Sequence, residues 1–191
     1  MTSYRSFLQS FFRDRKTIGA VAPTTRAVGQ RMARLGGLEH ARTVAEFGPG
    51  TGAITRELLA AMPPDARLIG FEVYAPFLEQ LRADVPDPRF TVLGESAETI
   101  REVAAQQAEP GFDAIISSVP FSLIGPDGTR AILRAAAESL RPGGVMVALQ
   151  YHPTYLAPFM RAQFTSVERK VYPWNIPPVL LLRARNPRLD G

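Results

Sequence analysis

The stretch Val44-Ala45-Glu46-Phe47-Gly48-Pro49-Gly50-Thr51-Gly52-Ala53 constrains the fold more than any other part of this 191-residue chain. An apolar run ends in an acidic residue, three glycines alternate, and a helical pattern begins. A strand, a tight turn and a helix start are therefore packed into one short segment. Glycine lets the backbone turn sharply and come close to a ligand, because no Cβ stands in the way. The run reads as a nucleotide-type cofactor loop on an α/β sheet. The glycines alone leave open which cofactor.

Downstream of this loop, strand and helix patterns alternate. Strands are predicted at 43–47, 67–72, 90–93, 112–117 and 144–151, and helices at 53–62, 75–84, 95–107, 127–140 and 153–162. Arg141-Pro142-Gly143-Gly144 reads as a helix stop and turn. Two strands, 165–172 and 178–185, flank Pro173-Trp174-Asn175-Ile176-Pro177-Pro178. Such alternation implies a mostly parallel sheet covered by helices on both faces. The last two strands imply an antiparallel hairpin at one edge. Upstream, residues 3–16 and about 25–35 read as helices joined by a Pro-containing segment at 17–24.

Composition removes several classes of chemistry. With no Cys there is no disulfide framework, Cys-ligated zinc or catalytic thiol, and two His argue against a His-rich metal site. The net charge of +4 hides a segregated pattern: residues 1–42 carry +6, residues 43–140 carry −7 and residues 141–191 carry +5. Basic ends suit an anionic partner, either nucleic acid or a membrane surface. No apolar run is long enough to span a bilayer, and Gln9, Ser10, Arg13 and Asp14 interrupt any leader-like apolar stretch. The expected location is cytoplasmic.

In open α/β sheets, ligands sit beyond the carboxyl ends of the strands. Glu46 and the glycine loop occupy that place after the first strand, and Glu72-Val73 after the second. An acidic group at Glu72 can accept from both hydroxyls of a ribose and would repel a 2′-phosphate. Gly94-Glu95-Ser96-Ala97 follows the third strand and Ser117-Ser118-Val119-Pro120-Phe121 the fourth. Plainer readings exist for each: Glu46 as a turn cap, Glu72 as a solvated strand end, Ser96 as a helix-start residue.

Taken together, Glu46-Phe47-Gly48-Pro49-Gly50-Thr51-Gly52, Glu72, Gly94-Glu95-Ser96-Ala97 and Leu140-Arg141-Pro142-Gly143-Gly144 resemble the class I S-adenosylmethionine-dependent methyltransferases over residues 43–185. The resemblance implies a Rossmann-like fold whose seven-stranded sheet has an antiparallel last strand. It further implies that Glu46 and the loop Phe47 to Gly52 hold the methionine end. Glu72 and Val73 would take the ribose, Glu95, Ser96 and Ala97 the adenine, and Ser117 would complete the cofactor site. A dinucleotide would want its pyrophosphate on the helix N-terminus. Glu46 beside an anion fits that poorly and fits a cationic amino-acid end better.

The acceptor is read from the N-terminus. Tyr4, Phe7, Leu8, Phe11 and Phe12 share one face of a helical pattern, flanked by Arg5, Arg13, Arg15 and Lys16. Such a helix either lies in a membrane interface or docks on its own sheet as a lid. With Phe11 to Arg26, Ser118-Val119-Pro120-Phe121 and Trp174-Asn175-Ile176-Pro177-Pro178 included, nearly the whole chain resembles the bacterial phospholipid N-methyltransferases acting on phosphatidylethanolamine. That resemblance implies stepwise methylation toward phosphatidylcholine on the inner face of the cytoplasmic membrane. Residues 1–36 would be the membrane-binding or lid segment and 37–191 the methyltransferase unit of one domain.

The rRNA adenine dimethyltransferases compete for the same residues, with an Asn-x-Pro-aromatic tetrad after the fourth strand. Here Ser118 replaces the Asn, removing the amide that would bind a flat exocyclic amine. A non-catalytic binding module that keeps the glycine loop is the third reading. On the lipid reading, His152, Tyr151 and Ser118 are the candidate catalytic residues, with His152 handling a proton or binding phosphate. Phe121, Tyr155 and Trp174 would wall the methylated cation. Lys16, Thr17 and Thr25 would contact phosphate or cofactor from the lid side. No metal and no nucleic acid is expected.

Overall fold

The computed structural model describes residues 26–107, 110–172 and 178–188. The helix expected at 3–16, the joint after it and residues 173–177 lie outside these. The first described element is α1 (Arg26–Gly36), whose Val28, Met32 and Leu35 are buried. Gly29 lets it sit tightly on the next helix, since a Cβ there would meet the Glu57 side chain at 3.0 Å. A 3₁₀ turn, Leu38–His40, then leads into the sheet.

The core continues as β1 (Thr43–Phe47), α2 (Ala53–Ala61), β2 (Arg67–Phe71), α3 (Ala75–Asp84), β3 (Phe90–Leu93), a 3₁₀ turn at Ala97–Thr99, α4 (Ile100–Gln107) and β4 (Phe112–Ser117). Next come α5 (Phe121–Ile124), α6 (Pro126–Ser139), β5 (Leu140–Gln150), α7 (Leu156–Gln163), β6 (Phe164–Tyr172) and β7 (Val179–Pro187). One seven-stranded sheet results, in the order β3-β2-β1-β4-β5-β7-β6. The first five strands pair in parallel, and β7 runs antiparallel between β5 and β6. The order reverses between β1 and β4, which opens a crevice beyond their carboxyl ends.

The sheet is covered on both faces, so its central strands are mostly apolar and every residue of β1 and β4 is buried; Thr43, Glu46, Asp113 and Ser117 are the polar exceptions. Their side chains alternate between two cores. Ala45, Phe47, Phe112 and Ile115 pack with Ile100, Ile132 and Leu156 on one face. Val44, Ala114 and Ile116 pack with Met32, Leu58 and Leu81 on the other. Phe47 meets Phe71 edge-to-face at 5.6 Å, a contact worth roughly 0.5–1.5 kcal/mol beyond its burial. At the amino end of the sheet, Asp113 accepts from the backbone N–H of Arg42 and Thr43, both at 2.8 Å, and pairs with Arg141.

Four local departures from the pattern have physical causes. The helix expected at 95–107 is divided, because Ser96 accepts from Glu98 N and closes a separate turn before α4. The strand expected at 144–151 starts earlier, at Leu140 opposite Phe112, and a register shift there lets Arg141 to Gly143 bulge outward. The helix expected at 153–162 starts only at Leu156, after bends at 151–155. Finally, α5 is a short unanticipated helix bounded by Pro120 and Gly125.

Candidate functional site

Strand β1 carries Glu46 to the edge of the crevice, where the chain turns through Gly48, Gly50 and Gly52 with φ of 68°, 59° and 78°. Side chains strain in that left-handed region. At Gly48 a Cβ would also lie 3.2 Å from the Val119 side chain. The turn is held from three sides. Gly48 N donates to Phe71 O at 3.0 Å, Gly52 N donates to Pro49 O at 3.0 Å, and Gly52 then caps α2.

The third restraint is a carboxylate. Glu72, 2% exposed at the end of β2, accepts from Gly50 N at 3.0 Å and from Tyr74 N at 2.8 Å. Burial raises its pKa above the usual carboxylate range, and the N–H donors of Tyr74, Gly50 and Val73 pull it partly back.

Glu46 is the more unusual of the two acids. It is 1% exposed, and neither carboxylate oxygen has a hydrogen-bond partner among the described residues. Burial pushes its pKa up to about 8; the nearby Thr55 hydroxyl offsets part of this and the Glu72 charge adds to it. The Thr55 oxygen falls short of a hydrogen bond and is itself unpartnered among the described residues. An unsatisfied buried polar group costs about 1–3 kcal/mol. A cationic group placed against Glu46 would remove that cost.

The end of β4 is tied to this loop. Ser118 N donates to Phe47 O at 3.0 Å, and Ser118 Oγ donates to Gly48 O at 2.6 Å. Ser117 is fully buried and its hydroxyl accepts from Val119 N at 3.3 Å. Gln150, at the end of β5, donates to Val119 O at 2.9 Å. Phe121 turns inward through a bond from its N–H to Val119 O at 2.9 Å, leaving its ring 0% exposed in the core. Its ring is thus part of the packing beneath the tetrad and not an open aromatic wall.

Past Gln150 the chain enters the bends at 151–155. His152 Nδ1 accepts from Tyr155 N at 3.2 Å and more weakly from Thr154 N at 3.4 Å. A neutral imidazole that accepts on Nδ1 carries its proton on Nε2. The ring is therefore a hydrogen-bond donor toward solvent. Tyr155 packs on His152 at 6.0 Å and on Phe159 at 5.2 Å, with its hydroxyl 3.4 Å from Thr129 Oγ1. Tyr151 stays exposed.

After β3, Glu95 accepts from the Thr99 hydroxyl at 2.9 Å, Ser96 serves as the turn cap, and Ala97 is buried. Glu72 N donates to Leu93 O at 3.0 Å, which sets this segment beside Glu72. The structure thus brings the expected residues from Glu46 to Gly52, Glu72 and Val73, Ser117 and Ser118, and 95–97 to one end of the sheet. Tyr151, His152 and Tyr155 form a neighbouring group joined to them through Gln150. Lys16, Thr17, Thr25 and Trp174 lie outside the described residues. Gln150 and Thr55 were missed from sequence, although a polar residue ending the apolar run Val145 to Leu149 was a readable signal for Gln150. No group of three or more His, Asp or Glu able to hold a metal converges among the described residues.

Comparison with known proteins places this geometry. The family model described as "Methyltransferase domain" matches residues 44–144, just over half the chain. Ornithine lipid N-methyltransferase of Singulisphaera acidiphila is 27% identical over 93% of this chain and 93% of its own length. Ribosomal RNA small subunit methyltransferase A of Caulobacter vibrioides is 29% identical over 71% of this chain, which spans 50% of that relative. Among solved structures, the N-methyltransferase NodS of Bradyrhizobium japonicum superposes with a TM-score of 0.68 at 18% identity, over 88% of this chain and 99% of NodS. An O-methyltransferase of Bacillus cereus in complex with SAH gives 0.72 at 15% identity, over 95% and 91%. These structures share the fold. The glycine loop, the strand order and the family match agree: the chain belongs to the methyltransferase-domain family, with the Rossmann-like fold of the S-adenosylmethionine-dependent enzymes.

Proposed function

We propose that this enzyme methylates the headgroup amine of phosphatidylethanolamine, and of its mono- and dimethyl forms, toward phosphatidylcholine on the cytoplasmic face of an anionic membrane. The observation that carries this reading is length-wise similarity: a lipid N-methyltransferase matches over 93% of this chain and 93% of its own length, whereas the rRNA enzyme is matched over only half its length. The Ser118 hydroxyl supports it. That group already donates to Gly48 O, so it offers no amide-like clamp for a nucleobase.

The residues present fit the cofactor. The unpartnered carboxyl of Glu46 suits a cationic amino-acid end, and Glu72 retains lone pairs for ribose hydroxyls beyond the two N–H bonds it accepts. When bound, S-adenosylmethionine supplies an electrophilic methyl group. The protein's part is to present an unprotonated amine. An amine with a lysine-like pKa of ~10.4 needs roughly 4–5 kcal/mol to lose its proton at neutral pH. His152, a donor at Nε2, suits the headgroup phosphate, as does the exposed Tyr151 hydroxyl; the amine proton then leaves to water. Tyr155 and Phe159 lie beside them as aromatic surface for a methylated cation.

The relative's name favours one further acceptor, an ornithine lipid. Radiolabelled S-adenosylmethionine offered with phosphatidylglycerol vesicles containing phosphatidylethanolamine, with vesicles containing ornithine lipid, or with RNA separates the readings. Label in phosphatidylethanolamine is expected. Label in ornithine lipid alone moves the enzyme to that acceptor, and label in RNA alone overturns the lipid reading.

A further inference from the structure

Among the described residues, three large apolar side chains are exposed: Leu123 at 36%, Tyr151 at 37% and Val171 at 57%. Isolated exposed apolar groups are ordinary. These three are not scattered. Tyr151 follows Gln150, Gln150 pairs with Leu180, and Leu180 pairs with Val171. Tyr151 and Val171 therefore sit two strands apart, roughly 10 Å at the usual strand spacing. Leu123 lies on α5, just past the end of β4. All three occupy the end of the sheet that also carries Glu46, Gly48 and Glu72.

Charge on the β6 part of this rim is one-sided; beside α5, the exposed Asp127 is paired with Arg130. Glu168 of β6 is paired with Arg185 at 2.6 Å, while Arg169 and Lys170 next to it are exposed and have no ion pair among the described residues. Cations on an edge strand serve to discourage strand pairing. That role explains Arg169 and Lys170 but not the Val171 that comes after them on the same edge.

We infer that this rim, from α5 across the 151–155 bends to the end of β6, is a contact surface for an anionic phospholipid bilayer. The inference rests on the lipid reading above and deepens it. Apolar groups enter the headgroup boundary while adjacent cations are drawn to the anionic surface. The contact sets the carboxyl ends of the strands against the lipid plane, so a headgroup reaches the 151–155 bends without leaving the bilayer. It is separate from any contribution of residues 1–25.

The test is sedimentation of the full chain with phosphatidylglycerol vesicles, beside cofactor affinity and light scattering. Val171→Asp combined with Arg169→Glu and Lys170→Glu should weaken vesicle binding at least about tenfold, with cofactor affinity held within about twofold. Arg169→Gln with Lys170→Gln, in a chain of unchanged melting temperature, should weaken it roughly three- to tenfold and so separates loss of surface from loss of fold. Unchanged vesicle binding in both variants overturns the inference. So does a change from dimer to monomer with vesicle binding intact, which would make the edge a contact between copies. Vesicle binding is read without methyl transfer, so a wild-type chain that labels only RNA sinks the proposed function while leaving this measurement decisive for the rim.

Discussion

The two ends of the chain's chemistry are built differently. The region from β1 to α6 carries −7 over residues 43–140 and buries two of its acids at the crevice: Glu46 and Glu72 are 1% and 2% exposed. The region from β5 onward carries +5 over residues 141–191, and Tyr151, His152, Arg169 and Lys170 are all exposed. The first is a backbone device, a turn fixed by glycine conformations and main-chain hydrogen bonds. The second is a surface of side chains on bends and an edge. A cofactor common to a family suits the former, and on the proposed function the acceptor is met by the latter.

The largest way to break this contrast is to remove the buried charge. Glu46 holds its proton up to about 8 in the folded chain and to 4.5 at its ordinary value. Between those values the folded state binds more protons than the unfolded state, so stability falls as pH rises and levels off above about 8. A shift of that size is worth up to about 5 kcal/mol. Glu46→Gln should flatten the dependence, raising unfolding free energy at pH 9 and leaving pH 4 nearly unchanged in denaturant titrations without cofactor. A curve parallel to wild type would show that Glu46 does not carry it.

Next in size is Glu72→Ala. It strips Gly50 N of its partner and removes the proposed ribose acceptor, so cofactor affinity measured by calorimetry should fall roughly a hundredfold. A loss of less than tenfold would place the ribose elsewhere. On the exposed side, His152→Ala should lower methyl transfer about tenfold with cofactor affinity unaltered. Equal turnover would remove His152 from the acceptor site. The smallest effect is expected of Ser118→Ala, which frees Gly48 O from its 2.6 Å bond and should cost about 1 kcal/mol of stability. A much larger loss of turnover than of stability would give Ser118 a direct part in the chemistry.

The same contrast explains what the residue order reveals. Val44 to Gly52 was legible because a turn with three positive φ values accepts little but glycine, and because strands buried on both faces read as near-continuous apolar runs. The antiparallel edge was legible from two consecutive strands. Phe121 was not: its ring lies 0% exposed in the core, which no local pattern separates from an open aromatic wall. Nor was the tautomer of His152, which depends on Nδ1 meeting the N–H groups of Thr154 and Tyr155. Gln150 reaches the tetrad across strand pairing that no local pattern announces.

The placement of β7 has a consequence for how the chain is made. β6 lies at the end of the sheet and pairs with β7, which comes after it and inserts between β5 and β6. During synthesis, at about 5–20 residues per second, β6 leaves the ribosome with its neighbour still unmade and β5 still open along one side. Two unpaired strand edges are then presented together, the condition that invites pairing with a foreign chain. Closure of the sheet waits for Val179–Pro187, so a nascent chain stalled before that segment is the form of this protein most in need of a chaperone.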